Sequence, residues 1–313
     1  MNILLAEDSK IYRHLIGSCL KEWGFDFVTV DDGLGAWDLL KKEDRPMLAL
    51  LDWVLPGVNG IDLCRRIRER ANHQQYVYTV VLTAKNKKQD LLDAMEAGAD
   101  DYLVKPFDPP ELRARLLAGK RIIDLQTELI GARESLIFSA THDSMTHLSN
   151  RAEIISFLER EMARGKREQR PVGVVLADID HFKKVNDTMG HLSGDAVLKD
   201  VARKLRSELR VYDGVGRYGG EEFLLVLPGC DLDGALHRAK EIRLRIAQDA
   251  VTTNKGHVNV TISMGVTIVD PAADSSVEAI LERADTALYQ AKNNGRNRVE
   301  HCGTSAGRHP AQL

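Results

Sequence analysis

Through the first part of the chain, short apolar runs alternate with longer amphipathic stretches. The runs Ile3–Ala6, Phe27–Val30, Met47–Leu51, Tyr78–Leu82 and Tyr102–Val104 are brief and bounded by polar residues, as buried strands are. Between them apolar positions recur at helical spacing, for example Ile61-x-x-Cys64-x-x-Ile67. Alternating strand and helix patterns predict a doubly wound, mainly parallel α/β sheet. In such a sheet ligands bind at the C-terminal ends of the strands.

The pattern changes after Pro110. No further proline occurs before Ser139, and Gly119 and Gly131 are isolated. Ile122, Leu125, Leu129, Ala132 and Leu136 keep three- and four-residue spacing, which is a heptad seam. Leu116, Ile123, Ile130 and Ile137 run beside it. Such a wide stripe fits either a parallel coiled coil between two copies or a helix packed on its own domain. Farther on, the β-branched run Val172–Leu176 leads into Ala177-Asp178-Ile179-Asp180, and Phe223–Leu227 is stopped by Pro228-Gly229. Val211–Val215 also suits a strand. Gly214, Gly216 and Gly219 spell G-x-G-x-x-G, but a dinucleotide fingerprint must open a helix. Here a strand follows, so Gly219-Gly220 reads as a hairpin turn of positive φ.

A length of 313 residues suggests two domains. The net charge of −3 gives no nucleic-acid or membrane signal. The first residues turn acidic at once, unlike a signal peptide, and no apolar run is long enough to span a bilayer. Cys19, Cys64, Cys230 and Cys302 lack CxxC spacing and read as reduced thiols of a cytoplasmic protein. The expected divisions are 1–118, a helical linker over 119–142, a second domain over 143–300, and a disordered tail over 301–313.

Acidic residues gather at the strand ends of the first domain: Glu7 and Asp8 after the first strand, Asp52 after the third. Their repulsion suggests a divalent cation such as Mg²⁺. Asp52 could then attack a phosphoryl group as a carboxylate nucleophile, with Thr83 and Lys105 holding its oxygens. The segment resembles the response-regulator receiver family. The matching features are Glu7-Asp8, Asp52-x-x-x-Pro56-Gly57-x-x-Gly60, Thr83-Ala84 and Tyr102-x-x-Lys105-Pro106-Phe107. The resemblance implies a flavodoxin-like fold, one Mg²⁺, phosphorylation of Asp52 by a cognate histidine kinase, and coupling through Thr83 and Tyr102. Glu7 stands where two aspartates are common.

In the second domain, Asp178, Glu221 and Glu222 could hold two divalent cations if their strands are neighbours, as nucleotidyl transfer requires. Lys292 and Arg296, four apart on a helix-period segment, would share a face and suit a phosphate tail. The segment resembles the GGDEF family of diguanylate cyclases. Its matches run in order: Asp143-x-x-Thr146-x-Leu148-x-Asn150-Arg151; Asp178-Ile179-Asp180-x-Phe182-Lys183-x-x-Asn186-Asp187; Gly190-His191-x-x-Gly194-Asp195; Arg217-Tyr218-Gly219-Gly220-Glu221-Glu222-Phe223; and Tyr289-x-Ala291-Lys292-x-x-Gly295-Arg296-Asn297.

That resemblance implies a palm-like α+β fold that makes cyclic di-GMP and pyrophosphate from two GTP. Each domain of a homodimer would bind one GTP. It implies Asp178, the Ile179 carbonyl, Glu221 and Glu222 as ligands of two Mg²⁺ per GTP site, with Glu221 as the base. Asn186 and Asp195 would read guanine. Phe182, Lys183, Lys292 and Arg296 would contact phosphates, and Arg217 would assist the transition state. Arg210-x-x-Asp213 has the spacing of the family's inhibitory cyclic di-GMP site, with Arg238, Arg243 or Arg245 as candidate partners. Met145, His147 and Ser149 depart from the family pattern, where Leu, Gly and Pro are usual. His142 and His147 lack zinc-ligand spacing. The competing readings are a catalytically inactive cyclic di-GMP effector and a phospho-dependent dimerisation scaffold.

Overall fold

The computed structural model describes residues 2–43, 46–70, 76–85, 88–270 and 276–302. The chain divides into two compact units between Ser135 and Leu136.

In the first unit, β1 (Asn2–Ala6), β2 (Asp26–Val30), β3 (Met47–Asp52), β4 (Val77–Thr83) and β5 (Asp101–Val104) form a parallel sheet in the order β2-β1-β3-β4-β5, connected by α1 (Lys10–Glu22), α2 (Gly33–Leu40), α3 (Gly60–Arg70) and α4 (Lys88–Glu96). Met47–Leu51 carries no polar side chain and β3 is buried throughout. A strand covered on both faces needs such a continuous run. Along β1 the side chains alternate, Leu4 and Ala6 entering one apolar cluster and Ile3 and Leu5 the other. The strand order reverses between β1 and β3, where a doubly wound sheet opens its ligand crevice. Glu7 and Asp52 lie there.

A single helix, α5 (Pro109–Thr141), runs through the boundary between the units. At 33 residues it is about 50 Å long. Leu112, Leu116 and Ile123 are buried in the first unit's core, so packing on that unit continues past residue 118. The two stripes then separate. Leu125, Leu129 and Leu136 are 61%, 62% and 71% exposed, so the heptad seam is uncovered among the described residues.

In the second unit, β6 (Val172–Ile179) lies between β8 (Glu222–Pro228) and β11 (Ile262–Val269), antiparallel to both. β7 (Gly214–Arg217) and β12 (Val299–His301) complete the order β12-β11-β6-β8-β7, while β9 (Val251–Thr253) and β10 (Gly256–Val258) pair separately. On one face, α6 (Arg151–Glu168) and α10 (Val277–Asn293) bury Ile154, Leu158, Ile280 and Leu288. On the other, α7 (Phe182–Met189), α8 (His191–Ser207) and α9 (Leu232–Gln248) cover Val175, Ala177, Phe223 and Leu225. Among the described residues, no helix is long and apolar enough to cross a membrane.

Some expectations change. β7 begins at Gly214, not Val211; Val211 is 94% exposed and contributes nothing to the core. Gly219 and Gly220 are not among the glycines of positive φ. Arg296 lies beyond the end of α10 in a left-handed conformation, φ +63°, so it shares no helical face with Lys292. His301 closes β12, and the Cys302 N–H donates to the Val266 carbonyl at 3.1 Å. The tail expected from 301 therefore does not begin there, and 303–313 lie outside the described residues.

Candidate active site

Three strand ends deliver the charged groups of the first unit's site. Glu7 follows β1, Asp52 closes β3, and Lys105 follows β5. Lys105 Nζ donates to Glu7 Oε2 at 2.7 Å, Glu7 Oε1 at 3.0 Å and Asp52 Oδ2 at 2.9 Å. Oxygens of Glu7, Asp8 and Asp52 lie within 4.8 Å of one another. Burial is the main cause that pushes Glu7 up to about 7; the Lys105 hydrogen bond opposes it and the Asp52 charge reinforces it. Thr83, buried at the end of β4, accepts a hydrogen bond from the Lys85 N–H at 3.0 Å. Tyr102 lies on β5 opposite Val81, half-buried.

In the second unit the hairpin and the central strand end together. Asp178 pairs with Glu222 across β6 and β8, and the Ile179 N–H donates to the Glu221 carbonyl at 3.2 Å. The turn closes on Glu222, whose carbonyl accepts from the Tyr218 N–H at 2.8 Å and the Gly219 N–H at 3.2 Å. A Cβ at Gly219 would overlap Glu222 Oε2, whereas one at Gly220 would meet open space. Room for the Glu222 carboxylate therefore explains the first glycine. Burial raises all three acids, and the charge of Asp178 adds to the rise at Glu221 and Glu222. Lys292 Nζ sits 2.8 Å from Asp178 Oδ2 and opposes the rise. Unlike the trio of the first unit, these three carboxylates do not all fall within 4.8 Å of one another. A site there needs a further oxygen, and the Ile179 carbonyl ends the same strand.

Asn186 of α7 and Asp195 of α8 belong to consecutive helices joined at Gly190, φ +78°. A Cβ at Gly194 would overlap Asn186 Oδ1, so glycine lets α8 close against that amide. Phe182 and Lys183 open α7, whose N-cap His181 makes no side-chain capping bond. Arg217 is held from two sides: NH1 donates to Asp143 Oδ2 at 3.1 Å, and NH2 to the Gly220 carbonyl at 2.7 Å. Burial would raise Asp143, but Thr146 and Arg217 outweigh it and hold the carboxyl below its usual range.

Asp213 is buried and accepts from the Arg210 N–H at 2.9 Å and from Arg238 at 3.0 Å. Arg243 instead bonds Asn297, and Arg245 pairs with Asp249. The Arg210 side chain reaches Tyr212 OH at 2.7 Å.

Asp180 acts as a positioning residue. It accepts from Thr261 and Ser263 at 2.6 Å each and from the Asn297 N–H at 2.9 Å. Arg243 donates to the Asn297 carbonyl at 3.1 Å and to its side-chain oxygen at 2.9 Å. Together they grip the residue next to Arg296 and hold the turn beyond α10. The partners lie 54 to 117 residues apart in sequence, and no spacing signal links them.

Residues 140–298 match the model of the family described as diguanylate cyclase, GGDEF domain, and residues 3–117 match the response regulator receiver domain. The chain belongs to the GGDEF family, with a receiver domain preceding the GGDEF domain. Among its relatives is the response regulator PleD of Caulobacter vibrioides, 40% identical over 258 residues, covering 80% of this chain and 56% of the relative. The chain thus spans little more than half the length of that curated relative. A diguanylate cyclase of Vibrio cholerae is 37% identical over 55% of this chain and 53% of its own length. The solved coiled coil and GGDEF domain of DgcB from Caulobacter crescentus, in complex with c-di-GMP, has a TM-score of 0.54 at 30% identity and covers 61% of this chain and 99% of that one.

Proposed function

We propose that the chain is a phosphorylation-regulated diguanylate cyclase, joining two GTP into cyclic di-GMP with release of two pyrophosphates. The observation that carries this reading is the meeting of Asp178, Ile179, Glu221 and Glu222 at one end of the sheet, with the Lys292 ammonium already on Asp178. Acids raised by burial and by one another favour added positive charge, and an all-oxygen donor set suits Mg²⁺. Magnesium bound there would neutralise triphosphate charge and ease ionisation of the attacking hydroxyl.

Glu221, its affinity for protons raised, accepts the 3′-hydroxyl proton. Asn186 and Asp195 read the donor and acceptor edge of guanine. The start of α7 at Phe182 and Lys183 receives phosphate oxygens, and Lys292 and Arg296 bind the remaining phosphate charge. Arg217 acts through the hairpin turn that it clamps. Arg210 and Asp213 form the inhibitory site, with Arg238 as partner.

In the receiver, Asp52 accepts a phosphoryl group from a cognate histidine kinase. Glu7, Asp8 and Asp52 would hold one Mg²⁺, Thr83 and Lys105 would meet the phosphoryl oxygens, and Tyr102 would relay the change. The uncovered seam of α5 pairs with a second copy, bringing two GTP-loaded domains together.

The test is product formation from GTP and Mg²⁺ by the purified chain, with and without beryllofluoride as a mimic of phospho-Asp52. Cyclic di-GMP that rises with beryllofluoride supports the reading. Folded, GTP-bound protein that makes no product in either condition would overturn it in favour of an effector.

A further inference from the structure

The second unit contains a cavity that the proposed reaction does not use. It measures about 740 Å³ and lies between the segment 142–149 and α8. Its floor is apolar and buried, formed by Leu148, Ala202 and Val215. Lys199, Arg203 and Arg206 line one wall, spaced so that they share a face of α8. His142 and His147 stand on the other side with the hydroxyl of Ser149. No carboxylate lines it among the described residues. Arg203 is partly neutralised by Asp200 at 2.6 Å, but Lys199 and Arg206 have no ion-pair partner among the described residues. A solvated basic helix would be convex; these cations border a concavity with an apolar floor, as ligand sites do.

Met145, His147 and Ser149 all line this cavity. His147 has φ +56°. Glycine would adopt that backbone freely, whereas histidine does so against a steric penalty. A side chain kept there at a cost in backbone strain points to a use for the ring.

We propose that this cavity binds a phosphorylated small molecule of nucleotide size. Its phosphates meet Lys199, Arg203 and Arg206, and its flat ring lies toward His147 and Met145. A volume of about 740 Å³ accommodates such a ligand, and clustered cations with nearby hydroxyls suit phosphate oxygens. The site is connected to its surroundings. His142 stacks on Phe138 of α5 at 4.4 Å, and His147 tilts against the same ring at 5.7 Å. The Ser149 carbonyl accepts from the Arg217 N–H at 2.8 Å. A bound ligand would therefore be felt at both the end of α5 and the start of the catalytic hairpin.

The probe is ATP, a triphosphate without the guanine edge, titrated calorimetrically into the full chain with inorganic pyrophosphate in parallel. Lys199→Glu/Arg206→Glu alters exposed positions and is expected to weaken ATP binding at least about tenfold by charge reversal. Lys292→Ala/Arg296→Ala is expected to leave it unchanged, which separates this site from the proposed GTP site. His147→Gly should raise Tm by relieving the backbone yet weaken ATP binding, a split that a merely structural histidine would not give. The proposal is overturned if ATP does not bind at millimolar concentration. It is also overturned if the charge reversal leaves affinity intact or Lys292→Ala/Arg296→Ala removes it. Pyrophosphate binding as tight as that of ATP would overturn the nucleotide assignment.

Discussion

Each unit brings acidic side chains to one end of its sheet beneath a lysine, and the two lysines differ in setting. Lys105 is 10% exposed and bonds both Glu7 and Asp52. Lys292 is 32% exposed and, among the described residues, bonds Asp178 alone; its charge attracts Glu221 and Glu222 without an ion-pair contact, while Asp178 repels both. In the first unit one buried cation is shared by Glu7 and Asp52, delivered by parallel strands, with Asp8 beside them. In the second, a hairpin and its neighbour deliver three carboxylates against one half-exposed cation. The first arrangement suits a site that changes state by gaining one phosphoryl group. The second leaves Glu221 and Glu222 without an ion-pair partner among the described residues, which a site for metal-bound triphosphate can use.

The strongest way to break the comparison is Glu221→Gln. It is expected to lower cyclic di-GMP formation by on the order of a thousandfold while leaving the fold intact; chromatography of product against circular dichroism would show this, and retained turnover would contradict the assigned base. Gly219→Ala comes next. The added methyl must displace the Glu222 carboxylate, and a misplaced group of this kind costs about a hundredfold, read as kcat at saturating GTP.

The lysines then separate the two sites. Lys105→Ala leaves buried carboxylates without their cation and should cost about 3 kcal/mol in receiver stability. Lys292→Ala removes a partly exposed partner and should cost under about 1 kcal/mol, with its effect appearing in KM for GTP instead. Denaturant melts of both variants would settle the contrast; equal losses would erase it.

The smallest expected effect concerns pH. The folded value of Glu7 lies above the unfolded one, so between 4.5 and about 7 the folded chain holds a proton that the unfolded chain releases. Stability of the metal-free receiver should therefore fall as pH rises through that window. Thermal melts would check the slope, and Glu7→Gln should flatten it.

Much of this was legible from local pattern. The strand runs of both units follow buried apolar stretches, and the acids lie where those stretches stop, because a buried strand admits charge only at its end. The motif glutamates fell on the hairpin as expected for the same reason. Other features depend on partners remote in sequence. The spacing of Lys292 and Arg296 implied one helix, but the helix ends at Asn293, and Arg296 takes its left-handed place in a turn gripped by Asp180 and Arg243. Gly219 is required by the position of a side chain three residues later, rather than by its own φ. The stripe on α5 looked uniform, yet the sheet buries Leu116 and Ile123 and leaves Leu125 and Leu129 uncovered.

The sequence by itself therefore determined the order of elements, the chemistry at their ends and the family, since these depend on nearest neighbours and on residue type. Only the tertiary structure decided which acid each lysine meets, which arginine reaches Asp213, what holds the turn at Arg296, and that Met145, His147 and Ser149 share a basic cavity with α8. These are contacts between segments far apart in the chain, and packing rather than spacing selects them.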